Sequence, residues 1–179
     1  MTKNDARLQR LEEIADKREI EDVVLRYCRG VDREDIELIR SCYHPDATEE
    51  HGSFQGSIDE YIEWVSRLIS RYSMSMHFVG NVLVELGEPK ADGTRAARCE
   101  TYGIAHHRSE THGPNANLIV GFRYIDRFER RGEGGWRIAA RVCTTEWVRV
   151  DDEAGRHSIP DDMRVGMRDR SDPVYDPID

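Results

Sequence analysis

An aspartate at position 32 and a histidine at position 77 are the side chains of this sequence best suited to do chemistry together. A carboxylate that orients an imidazole and stabilises its protonated form makes a general base that works near neutral pH. Asp32 closes the run Arg26-Tyr27-Cys28-Arg29-Gly30-Val31-Asp32, and His77 sits in Met76-His77-Phe78-Val79-Gly80-Asn81. The two are 45 positions apart (77 − 32), so only a fold can bring them into contact. In a strand, residues two apart share a face, which would set Asn81 beside His77 and put Arg141 on one side with Cys143 and Thr145. Tyr27, Asn81 or Arg141 could then stabilise negative charge developing on an oxygen or a leaving group, with Tyr102 and Thr145 as further candidates to line a pocket. Each also has an ordinary reading: Tyr27 as a core tyrosine on the stripe of Val23 and Val24, Arg141 as a sheet-surface or interface residue, Tyr102 as a strand aromatic.

The elements that must position these groups are visible as changes of period. From about Ala6 to Val31 apolar residues recur at helical spacing (Leu8, Leu11, Ile14, Ile20, Val23, Val24, Tyr27), as one helix or two joined near Asp16, with Gly30 as a natural stop. A short helix from about Arg33 to Tyr43 should end at Pro45, and Ala47–His51 can form a short strand. Ser57-Ile58-Asp59-Glu60 has the form of a capping box and opens a third helix through Tyr61, Ile62, Val65, Leu68 and Ile69. Strand-like runs follow at about Ser75–Leu86, Arg95–His106, Asn117–Arg130 and Trp136–Val150, separated by turn-rich pieces at Pro89–Gly93, His112–Asn115 and Gly132–Gly135. Helices first and strands afterwards predict an α+β domain over 1–150, with helices on one face of a curved, mostly antiparallel sheet. Residues 151–179, acidic and rich in proline, read as an arm or tail.

Composition narrows the function. A net charge of −9 with no basic stripe argues against a nucleic-acid surface, and no apolar run approaches the ~20 residues of a membrane span. Cys28, Cys42, Cys99 and Cys143 are scattered without a C-x-x-C pair, and the N-terminus lacks an apolar signal core, so free thiols in a cytoplasmic protein are expected. His44, His51, His106, His107 and His112, with Glu49, Glu50 and Glu110, supply ligand-type side chains at no established metal spacing, so no metal is expected. Phosphate-binding glycine loops and a G-x-S-x-G elbow are absent from the sequence, which leaves nucleotide cofactors and serine hydrolysis without support.

Over about residues 8–150, the helices, the Gly30-Val31-Asp32 step, the Tyr43-His44-Pro45-Asp46-Ala47 turn, the capped helix and the His77 strand resemble the SnoaL-like group of the nuclear transport factor 2-like superfamily. The likeness is to the branch containing scytalone dehydratase, hexachlorocyclohexane dehydrochlorinase and bile-acid 7α-dehydratase. It implies a cone-shaped barrel in which Asp32 pairs with His77 inside a pocket. It also implies Arg141, in Trp136-Arg137-Ile138-Ala139-Ala140-Arg141-Val142, as a residue facing a leaving group, with Thr145 at an alternative position for that arginine and Tyr27 at a family tyrosine. The expected activity is that of a cofactor-independent dehydratase or isomerase acting on a small apolar cyclic substrate. A non-catalytic binding protein, or the small subunit of an aromatic-ring-hydroxylating oxygenase, would use the same cone. The resemblance further implies a homo-oligomer, a trimer before a dimer, and light scattering that returned a monomeric mass would refute it.

Overall fold

The computed structural model describes residues 2–109, 117–151 and 158–178. The turn expected at His112–Asn115 and the ligand-type residues Glu110 and His112 lie outside the described residues.

Helix α1 (Lys3–Asp32) is one continuous helix. Its start is fixed by a capping box in which Thr2 and Asp5 exchange hydrogen bonds, satisfying backbone donors that the first turn leaves without partners. The apolar stripe is buried only along its second half, at Ile20, Val23, Val24, Tyr27 and Val31, while Leu8, Leu11 and Ile14 remain exposed. Gly30 does not stop the helix. It lies inside the last turn, where a Cβ would come within 2.7 Å of Ile39 Cγ1 and 3.1 Å of the Ile39 backbone nitrogen, so glycine allows α2 (Ile36–Ser41) to cross closely. The chain reverses instead at Glu34, a left-handed residue with φ 52°, and Asp35 then caps α2 by accepting from Leu38 N–H. Helix α3 (Ile58–Ile69) begins at the expected Ser57–Glu60 box and buries Ile58, Tyr61, Ile62, Val65 and Ile69.

Six strands form one sheet: β1 (Tyr43–His51), β2 (Phe54–Ser57), β3 (Met74–Leu86), β4 (Arg95–Arg108), β5 (Asn117–Arg130) and β6 (Arg137–Asp151), in the order β2-β1-β6-β5-β4-β3. All pairings are antiparallel except β1 with β6. Strand β1 starts earlier than the sequence indicated. Pro45 lies within it, between Tyr43 and Thr48 where the register against β6 slips, a place that tolerates the missing N–H. β2 is too short to show a period. The result is a curved, open α+β sheet with the helices over one face.

The main irregularity is in β3. Val79 pairs with Gly103 and Val82 with Thr101, so Gly80 and Asn81 together oppose one residue of β4. Such a bulge reverses strand parity. Before it Ser75, His77 and Val79 face the helices; after it Val82, Val84 and Leu86 do.

The described C-terminal segment lies against the ends of α1 and α3. Arg168 donates to the carbonyls of Val31, Asp32, Ile69 and Tyr72 and pairs with Glu34 at 2.9 Å. Arg33 meets Asp172 at 3.3 Å, and Arg170 and Tyr175 both reach Asp35. A cation over the carbonyls at helix C-terminal ends is favourable for both charge and hydrogen bonding. No helix among the described residues is long and apolar enough to cross a membrane.

Candidate functional site

The last residue of α1 faces the inward side of β3. Asp32 Oδ1 lies 2.6 Å from His77 Nδ1, and Asp32 Oδ2 accepts from His77 backbone N–H at 2.9 Å. Using both oxygens fixes the carboxylate in two directions and the imidazole in one orientation. With Nδ1–H donated to the carboxylate, the Nε2 lone pair is the basic site. Both side chains are largely covered, at 7% exposure for His77 and 13% for Asp32. Phe122 and His107 meet the His77 ring edge-on, with centroids 5.8 and 5.7 Å away.

His77 opens into a cavity of about 240 Å³ between α1, α3 and the sheet. Its wall is mostly apolar or aromatic, including Val31, Trp64, Val65, Leu68, Val120 and Phe122. Tyr27, His51, His107, Cys143 and Thr145 supply its polar points. His107 Nδ1 is 2.9 Å from Ser75 Oγ, and the ring stacks on Tyr72. Burial, reinforced by the neighbouring His77, pulls the His107 pKa down to about 3, so this imidazole is neutral.

The structure places the sequence candidates as follows. Asp32 and His77 are in contact, and Tyr27 and Thr145 line the same cavity. The Tyr27 hydroxyl is already hydrogen-bonded to that of Tyr61, and burial pushes its pKa well up. Asn81 is not on the His77 side, because the Gly80–Asn81 bulge turns it outward; with Tyr102 it lines a separate hollow on the outer face beside Phe78 and Trp147. Tyr102 lies between the inward Thr101 and Gly103, is 46% exposed, and carries the Arg123 guanidinium over its ring. Arg141 does face inward, yet it does not reach the cavity. Asp126, its partner across the β5–β6 register, holds it through two bonds of 2.7 Å, and the rings of Tyr27 and Tyr124 cover it at 4.1 and 4.0 Å. Its charge is balanced, so it is an internal tie of the fold rather than a group facing a leaving group.

Two site residues were missed by the motif reading. His107 enters the cavity through the β3–β4 pairing, for which the sequence has no local cue. His51 stands 3.0 Å from Glu49, two residues earlier in the same strand. The Glu-x-His spacing was legible; the burial of Glu49 was not. Among the described residues no three His, Cys, Asp or Glu side chains are grouped to hold a metal ion.

The sequence pattern of the SnoaL-like domain matches residues 12–142. The chain belongs to the SnoaL-like domain family. This SnoaL-like chain is 26% identical over 135 residues to the uncharacterised protein Rv2910c of Mycobacterium tuberculosis, covering 74% of this chain and 86% of that one. Its fold is similar to a putative scytalone dehydratase from Novosphingobium aromaticivorans, with a TM-score of 0.65 at 18% identity over 82% of this chain and 97% of that one. It is equally similar to a hexachlorocyclohexane dehydrochlorinase from Novosphingobium barchaimii, with a TM-score of 0.64 at 20% identity over 86% and 98% of the two chains. At these identities the likeness is one of fold.

Two outcomes are expected. Arg141→Met strands Asp126 as an uncompensated buried charge and should cost ~3–5 kcal/mol in a denaturant titration; an unchanged midpoint would contradict the tie. His107 is held neutral when folded and titrates near its ordinary 6.5 when unfolded, so the unfolded chain binds the extra proton between pH 6.5 and about 3. Stability should therefore fall as pH drops through that window, and His107→Asn should flatten the fall; an equal fall in both proteins would contradict the assignment.

Proposed function

We propose that this SnoaL-like protein is a cofactor-independent lyase or isomerase, with dehydration ahead of isomerisation, acting on a small, mostly apolar, oxygenated cyclic molecule. The observation that carries the reading is the Asp32–His77 hydrogen bond, which leaves Nε2 for a mostly apolar cavity that His77 lines. His77 takes a proton from a carbon made acidic by a carbonyl or conjugated system, and Asp32 stabilises the imidazolium that results. The C–H electron pair becomes part of an enolate. Its return expels a β-hydroxyl, which leaves as water with the proton from His77; in an isomerase the proton goes back at another carbon. An apolar cavity of about 150 Å³ accepts benzene, so 240 Å³ suits one or two fused rings, and a four-ring steroid would have to protrude through the mouth.

The test is turnover of a bicyclic β-hydroxyketone such as 3-hydroxy-1-tetralone, whose dehydration yields fluorescent 1-naphthol. Wild type should form naphthol, and His77→Gln should lower kcat by ~10² or more, the usual size of a general-base contribution. Activity retained in His77→Gln would sink the assignment. Ligand binding with neither turnover nor exchange of acidic C–H protons in D2O would identify a binding protein instead.

A further inference from the structure

The base at His77 accounts for half of such a reaction. The other half is a donor for the oxygen on which charge collects, and the groups the sequence suggested for that charge do not fill it: Asn81 faces outward, Arg141 is covered and paired, the Tyr27 hydroxyl is engaged by Tyr61, and Thr145 brings a neutral hydroxyl to the cavity. We propose that His51 is this donor, an imidazolium held by the buried Glu49 carboxylate that gives its Nε2–H to a substrate oxygen. The proposal rests on the reading of the cavity as a proton-transfer site.

Three observations support it. The first is geometry: His51 lines the cavity with 24% of its side chain exposed, while Glu49, 3.0 Å from Nδ1, is fully covered. With Nδ1 given to Glu49, a protonated ring has one N–H left, on Nε2, and a substrate oxygen there competes with the Cys143 sulfur beside the ring. The second is charge balance. Arg141 and Asp126 neutralise one another, so the Glu49 carboxylate has His51 as its cation, and an unpaired buried carboxylate would cost several kcal/mol. Tyr43 O–H donates to the other Glu49 oxygen at 2.9 Å, as it would to an anion. The third is the surroundings of the ring, which are Glu49 on β1, Tyr61 and Trp64 on α3, Tyr124 on β5, and Cys143 with the more distant Arg141 on β6. Burial alone would drain the His51 proton, but the Cys143 sulfur and the Glu49 carboxylate more than offset it and lift its pKa to about 9. Burial also pushes the Glu49 carboxyl up, opposed by His51 and Arg141. The two directions describe one proton shared by the pair, which the proposal places on the His51 ring.

His51 and His77 belong to β1 and β3, with β6, β5 and β4 between them in the sheet. The rings of Tyr124 and Phe122 bridge the gap, with centroids 6.2 Å from His51 to Tyr124, 4.5 Å from Tyr124 to Phe122 and 5.8 Å from Phe122 to His77. In the proposed complex a bicyclic molecule lies across these two rings, which are tilted by 44°, with a C–H at His77 and an oxygen at His51. In the first step the C–H bond breaks, N–H forms at His77, the pair becomes a C=C bond and the carbonyl π pair moves onto oxygen. His51 donates a hydrogen bond to that oxygen and keeps its proton. In the second step the pair returns, the C–O bond breaks, and the departing hydroxide takes the proton from His77.

The experiment is a ¹⁵N-histidine NMR titration of the full chain, with 1-naphthol as probe of an aromatic oxygen. Wild type should show His51 doubly protonated at pH 7.5, with Glu49→Gln bringing its transition to or below the ordinary ~6.5. Naphthol should shift the His51 resonances, and His51→Phe should weaken naphthol binding roughly tenfold or more, the worth of a charge-assisted hydrogen bond. His77→Gln should leave the His51 titration intact, so failure of the base assignment is distinguishable from failure of this one. A neutral His51 at pH 7.5, naphthol that leaves His51 undisturbed, or unweakened binding in His51→Phe would each overturn the proposal. Should His51→Phe not fold, the wild-type titration and the naphthol shifts decide.

Discussion

The Asp32 carboxylate bonds at once to the ring and to the backbone of His77, and much of the fold can be understood as what holds that double contact in place. The bond at Nδ1 sets the imidazole about χ2; the second, to the backbone, ties the helix end to the strand itself. For the contact to form, α1 must run uninterrupted to residue 32 and the chain must then leave sharply. Gly30 admits α2 against the last turn, and Glu34 takes a left-handed conformation to reverse direction. Arg168 completes the arrangement by bonding carbonyls at the ends of α1 and α3 beside the dyad. The C-terminal segment is thus part of the frame around the site.

A second constraint is charge balance in a poorly hydrated interior. Asp126 with Arg141 and Glu49 with His51 place four ionisable side chains close beneath or beside the cavity. Each pair is close to neutral, which is the condition under which burial of such groups is tolerable. The pairs differ in what they leave over. Arg141 gives its guanidinium edges to Asp126 and its faces to Tyr27 and Tyr124, whereas a histidine bound through one nitrogen retains another. In the proposed reaction the chemistry therefore falls to the imidazoles, and the arginine stabilises the fold under them.

This contrast also separates what could be read in the sequence from what could not. The α3 capping box and the helical stripe before Asp32 are local patterns, and both elements form where the sequence indicated. The motifs around residues 32 and 77 carried the family likeness and with it the curved α+β sheet. Strand parity was sound for Arg141, but its consequence depended on Asp126 arriving opposite it through the β5–β6 register, and a register between distant segments leaves no mark in either one. Parity failed for Asn81 because Gly80-Asn81 reads as well in a continuous strand as in a bulge. His51 was recognised only as a ligand-type side chain. Its partner two residues away was visible, but nothing local said that α3 would cover them with Tyr61 and Trp64.

The central claim is that Asp32 presents His77 to the cavity with Nε2 as the open, basic nitrogen. Long-range ¹⁵N–¹H NMR correlation of the folded chain, assigned through His77→Gln, reads the tautomer directly. The account predicts that the His77 ring proton resides on Nδ1, in a strong hydrogen bond to Asp32, and that Asp32→Asn disturbs this state. A His77 ring that carries its proton on Nε2, or is indifferent to Asp32→Asn, would contradict it.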